Sequence, residues 1–169
     1  MKVTSAQANK ELKRLNDELK ALLSQERQSS VFIAATTENV EAARPEYNFA
    51  ETQEKIAEIQ EKIVVLKHAI NLFNITHKPE GFDMTVDEML VYIPQLNAAK
   101  SKYFGMSNRL EKVRQTSSFG SSRSLIEYEY ANYNLNEAKK RFEEVSEQLT
   151  KAQLALDKLN TTETFEIAL

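Results

Sequence analysis

Between residues 49 and 73, side chains that suit a core return at Phe49, Thr52, Ile56, Ile59, Ile63, Leu66, Ile70 and Phe73. The steps alternate between three and four. Only a helix places such positions on one face; a strand would send them alternately to both sides. Glu51 with Lys55, and Glu58 with Lys62, stand four apart with the acid first, the favourable order on an exposed helix face. Val64, Val65, Ala69 and Leu72 then widen the apolar arc. A wide arc requires more than one packing neighbour, as in a bundle. The spacing predicts a helix over 49–74.

Three further stretches repeat this pattern. Ala8, Leu12, Leu15, Leu19 and Leu22 form a narrow seam, and Thr4 with Gln7 can close a capping box, predicting a helix over about 5–27. Val86, Met89, Ile93, Leu96, Ala99, Tyr103, Met106, Leu110 and Val113 predict a helix over 86–114, capped by Thr85 with Glu88. Pro94 lies inside it and predicts a kink near Val91, while Gly105 weakens it locally. Leu135, Ala138, Phe142, Val145, Leu149, Ala152, Leu156 and Leu159 predict a helix over 135–160, capped by Asn134 with Glu137. Glycine and proline number only three each, so little interrupts these helices. The expected fold is mainly α: four long antiparallel coiled-coil-like helices in an up-down-up-down bundle, one domain over residues 1–169.

The connectors differ in character. Residues 75–84 hold Pro79 and Gly81 and read as an ordered reversal with Phe82 and Met84 tucked inward. Val31 to Thr37 is apolar and β-branched, and Leu125 to Tyr130 alternates with period two. These predict short β segments near 31–37 and 124–131 at one end of the bundle, paired with each other. Residues 115–124 between them are small and polar. An open two-stranded sheet with an apolar face invites a further chain. Phe32, Ile126, Tyr128 and Tyr130 are therefore the candidate oligomer interface. The tail from Thr164 alternates too, and reads as a short strand or a packed segment.

Composition removes several functions. The absence of cysteine excludes disulfides, thiolate nucleophiles and cysteine-ligated metals. A net charge of −3 speaks against nucleic acid and anionic membranes as partners. No apolar run approaches the roughly 20 residues of a membrane span, and the amino-terminal stretch has no signal-peptide core. A cytoplasmic protein is expected. The two histidines, His68 and His77, fit neither the paired glutamate–histidine spacing of di-iron bundles nor a helical zinc motif. Gly81, Gly105 and Gly120 are too far apart for a phosphate loop. No catalytic residue, metal ligand or cofactor is expected. One polar cluster stands out around the end of the second helix: His68, Asn71, Asn74 and His77, with Thr76. It reads either as a solvated face with a helix-ending asparagine or as a small site for an anion or metal ion.

Ile70-Asn71, Asn74 and Thr76, then the Thr85 to Leu90 helix start, then a late strand and a helix ending Leu159-Asn160-Thr161-Thr162-Glu163, resemble the septicolysin-like family of bacterial proteins over roughly residues 60–165. The resemblance implies a bacterial, helical, oligomeric protein, and the family's name adds cytolysin activity as an alternative. The function expected from the residues themselves is a non-enzymatic helical interaction or assembly protein, acting as a homo-oligomer or on a protein partner. Two alternatives stand beside it: a membrane-active toxin, and a polar ligand site at the turn after the second helix.

Overall fold

The computed structural model describes residues 1–115 and 126–168. The fold is mainly α. In chain order the elements are β1 (Lys2–Thr4), α1 (Ser5–Ser29), α2 (Val40–Ala43), α3 (Phe49–Thr76), α4 (Val86–Ser107), β2 (Lys112–Arg114), β3 (Tyr128–Tyr130), α5 (Leu135–Thr162) and β4 (Thr164–Glu166). The chain forms two compact units, Met1–His77 with Lys158–Leu169, and Lys78–Asp157.

The first unit is built on α1 and α3. Thr4 leaves β1 extended and its hydroxyl accepts from the Gln7 amide, while the Gln7 side chain accepts from the Thr4 amide. This is the expected capping box, and it satisfies two backbone donors that the first helical turn leaves free. Ala8 and Leu15 of α1 and Ile59, Ile63, Leu66 and Ile70 of α3 share one core, with Val3 and Ile167 from the strand segments. Leu66 has no exposed surface, and burial of such a side chain contributes about 2 kcal/mol. The helices run antiparallel. The Glu26 carboxylate, near the end of α1, accepts from Tyr47 and Gln53 beside the start of α3. At the other end, Phe165 of β4 pairs with Val3 and its ring tilts against Phe73 of α3. The sheet of β1 and β4 was only half legible: the tail was open to being a strand, but its partner, three residues at the amino terminus, was not anticipated.

Val31 to Thr37 is not a strand, contrary to expectation. Its composition suits one, but a strand is stable only when a neighbour bonds its backbone, and no described residue supplies that neighbour. Val31 and Ile33 stand in solvent. Phe32 is half-buried beneath the Arg44 guanidinium, 5.3 Å from its ring centroid, and Arg44 is itself bonded to Glu41 of α2.

In the second unit, the reversal at Pro79 closes with a bond from the Phe82 amide to the Pro79 carbonyl. Gly81 adopts φ +82°, a conformation that favours glycine. Thr85 and Glu88 form the expected capping box of α4. Met89 and Leu96 of α4 pack with Leu149 and Ala152 of α5, and Phe82 and Met84 pack against them as expected. Phe104 and Phe142 lie 5.6 Å apart, so these helices also run antiparallel.

The helix expected over 86–114 ends at Ser107. The Ser107 hydroxyl and the Asn108 side-chain amide both donate to the Phe104 carbonyl, which also keeps the backbone amide of Asn108, so local side-chain bonds close the last turn. Leu110 and Val113 continue the helical spacing but are exposed, so no burial rewards a longer helix. Residues 112–114 instead form β2, paired antiparallel with β3: Lys112 with Tyr130, Val113 with Glu129 and Arg114 with Tyr128. The expected strand near 124–131 therefore exists as β3, but its partner is β2 and not residues 31–37. Residues 124 and 125, and the polar connector at 116–123, lie outside the described residues. Helix α4 runs through Pro94 without interruption.

Candidate functional site

The β2–β3 ribbon segregates its charges by face. The Lys112 ammonium lies 4.0 Å from the Tyr128 ring centroid and 5.3 Å from that of Tyr130, which places all three on one side. Arg114, two residues on, shares that side by the alternation of a strand. The other side carries Val113, Gln115 and Glu129. There Gln115 and Arg109 both donate to the Glu129 carboxylate, at 2.8 and 3.0 Å. One face thus presents two cations and two tyrosines, and the opposite face holds the carboxylate.

Much of this ribbon is in solvent. Tyr128 is 42% exposed, Tyr130 60%, Ile126 56% and Leu110 70%. Exposed aromatic and apolar groups gathered this closely mark contact surfaces. Of the four expected interface residues, Ile126, Tyr128 and Tyr130 belong to this ribbon region in the second unit; Phe32 belongs to the first unit, under Arg44. Sequence reasoning missed Lys112 and Arg114 because it assigned them to the tail of a helix. The signal was there: Lys112-Val113-Arg114 alternates in the same way as Tyr128-Glu129-Tyr130.

The polar cluster separates into two parts. His77 caps α3: its ring stacks on Phe73, and its Nδ1 lies 3.1 Å from the Phe73 carbonyl. A carbonyl only accepts, so Nδ1 carries the proton in this bond. Thr76 turns its hydroxyl back to the Leu72 carbonyl, 2.7 Å away. His68 and Asn71 are exposed on α3, and Asn74 is half-buried. Among the described residues no group of three or more histidines and carboxylates could hold a metal ion.

A groove of about 530 Å³ in the second unit is lined by Tyr103, Met106, Tyr133, Glu137, Arg141 and Glu144, among others. Within it the Tyr133 hydroxyl donates to the Met106 carbonyl, and Arg141 donates to Glu144. It presents no paired nucleophile and base. No helix among the described residues is long and apolar enough to cross a membrane.

No protein-family model matches the chain. No curated protein matches it either. In three dimensions it is similar to the crystal structure of a functionally unknown conserved protein from Corynebacterium diphtheriae, with a TM-score of 0.62 and 16% identity, over 98% of this chain and 100% of that one. At that identity the likeness is one of fold, spanning nearly the whole chain.

Proposed function

We propose that this protein is a non-enzymatic interaction module in which a helical scaffold presents the β2–β3 ribbon to another polypeptide. The observation that carries the reading is the ribbon's exposed tyrosine face, with Tyr128 and Tyr130 held beside Lys112. Tyrosine and arginine contribute disproportionately at protein contacts because they combine large area with polar groups that orient a partner. An aromatic face in solvent is costly to maintain, and its burial against a partner recovers that cost. The apolar seam that α4 and α5 share in the same unit, through Met89, Leu96, Leu149 and Ala152, fits a scaffold's role.

The test is site-specific photo-crosslinking in the producing cell. A benzophenone side chain at position 128 is expected to give a discrete adduct, with a second copy or with another protein. The same group at Lys139, exposed on α5, controls for random collision. If position 128 gives no more adduct than position 139, the ribbon is not a contact surface.

A further inference from the structure

The ribbon has only two strands, so each strand has one edge without a partner among the described residues. Its hydrogen bonds show which residues face those edges. The Ala131 amide donates to the Glu111 carbonyl, and the Gln115 amide donates to the Glu127 carbonyl. Residues 111, 113 and 115 therefore turn their backbone groups inward to β3. Lys112 and Arg114 turn theirs outward, by the alternation of an antiparallel ladder. The open edge of β2 thus offers its donors and acceptors at the two residues whose side chains carry the positive charge.

We propose that the β2 edge binds an extended acidic segment of another protein, added as a third strand with the pattern acidic–apolar–acidic. This rests on the reading of the ribbon as a contact surface. A strand laid along β2 sits about 4.8 Å away, with side chains alternating between the faces. Two of its residues, spaced two apart, fall beside Lys112 and Arg114, on the face opposite Glu129. The residue between them falls beside Val113, which is 44% exposed, on the other face. Opposite charges at such neighbouring positions stabilise a ladder, and like charges destabilise it.

That rule also selects the occupant. A symmetric dimer through β2 sets Lys112 and Arg114 against the same cations of a second copy. A symmetric dimer centred on β3 sets Glu129 against its own equivalent. The edge of β3 repels an acidic segment through Glu127 and Glu129. Backbone pairing along an edge, with alternate side chains read by the two faces, is an established mode of peptide capture.

The experiment uses a fluorescein-labelled peptide, Thr-Glu-Val-Glu-Val-Thr, titrated with the full chain and followed by fluorescence anisotropy. Saturable binding is expected, and the peptide with lysine in place of glutamate should bind at least tenfold more weakly. Two further peptides, N-methylated at the glutamates or at the valines, block one edge each; one of the two should lose binding. Lys112→Glu with Arg114→Glu should reverse the preference between acidic and basic peptides. Lys112→Gln with Arg114→Gln should weaken the acidic peptide at least fivefold, and circular dichroism checks that both variants keep their helices. Equal binding to the charge-reversed variant overturns the proposal, as does full binding of both methylated peptides. A ten-nucleotide oligouridylate that binds tighter than the peptide and depends on Lys112 and Arg114 overturns it in favour of nucleic acid. A dimer that forms without peptide and is lost in the glutamine variant overturns it in favour of a second copy. If the crosslink at position 128 persists while the peptide fails, the contact surface stands and its acidic-strand specificity falls.

Discussion

The ring of His77 lies flat on that of Phe73, one helical turn earlier, with centroids 4.1 Å apart and planes 19° from parallel. The Phe73 carbonyl receives both the backbone amide and Nδ1 of His77. This histidine therefore ends α3 and covers a buried ring. His77→Ala removes the stack and one bond and is expected to cost about 1 kcal/mol. His68→Ala, on an exposed face, should stay within about 0.5 kcal/mol of the parent. Urea denaturation of both variants compares them directly; equal losses would mean the two histidines act as one site.

The contrast between Leu66 and Val64 tests the core of the first unit. Leu66 is fully buried, and Val64, two residues earlier on the same helix, is 66% exposed. Leu66→Ala should lose about 2–5 kcal/mol through lost burial and the cavity left behind. Val64→Ala should lose less than about 0.5 kcal/mol. Similar urea midpoints for the two would mean that the helix packs through another face.

Tyr47 offers a titration. Burial raises its phenol above the usual range, and the Glu26 carboxylate raises it further through its hydrogen bond and its charge, against a smaller opposing effect of Gln53. Glu26→Gln removes the negative charge, so the Tyr47 titration should move down toward that of an exposed tyrosine. Ring-carbon NMR across the alkaline range follows it. An unmoved midpoint would mean that Glu26 does not hold the connector to α1.

Acid should lower the chain's stability only at low pH. Glu11, Glu41, Glu51, Asp83 and Glu147 are each held below their ordinary values, in every case first by a hydrogen bond from a neighbouring arginine or lysine. A carboxylate with a depressed folded-state pKa stabilises the fold above its unfolded-state value and loses that contribution as pH falls through the folded one. Stability set by these pairs should thus be level down to the carboxylate range near about pH 4 and decline below it. The pairs are exposed, so the decline should be shallow and smaller still in salt. Thermal melts between pH 3 and 7 at two salt concentrations measure both. A loss above pH 5 would point to a different titrating group.

Tyr128→Asp separates surface from core. The tyrosine is partly exposed and its described ring contacts are to Lys112 and Tyr130. Losing the cation–aromatic contact should cost about 0.5–1 kcal/mol, and the helical circular dichroism signal should not change. Lost helicity would place the ribbon in the core.

Much of the helical framework was readable because caps and seams are local. Thr4 with Gln7, Thr85 with Glu88, and Asn134 each mark a helix start within a few residues of sequence. What stayed hidden depends on who pairs with whom. Leu110 and Val113 fall at helical spacing by coincidence, and only the presence of β3 opposite decides that their stretch is a strand. Val31 to Thr37 has strand composition but no partner among the described residues, and it forms no strand. Tyr128 and Tyr130 were legible as an exposed aromatic face, but the cations beside them required the ribbon's register. The roles of His68 and His77 diverge for the same reason: spacing places both near one helix end, and only the stack on Phe73 distinguishes them.

The pairing of β1 with β4 has a consequence for the order of folding. The first unit is discontinuous: β1 and α1 are synthesised before β4, with the whole of the second unit between them. On the ribosome, α1 and α3 can zip as a hairpin early, since their contacts are comparatively near in sequence. Val3 must wait for Phe165 and Ile167, across a loop whose closure costs far more entropy than any helical turn. Until that last strand emerges, the apolar end of the hairpin that holds Phe73 stays uncovered. The second unit has by then been made in full, so the strand that seals the first unit arrives tethered to a finished neighbour. Completion of the first unit is therefore coupled to the appearance of β4, and a variant in which β4 cannot pair leaves a molecule with its helices formed and one end of its core wet.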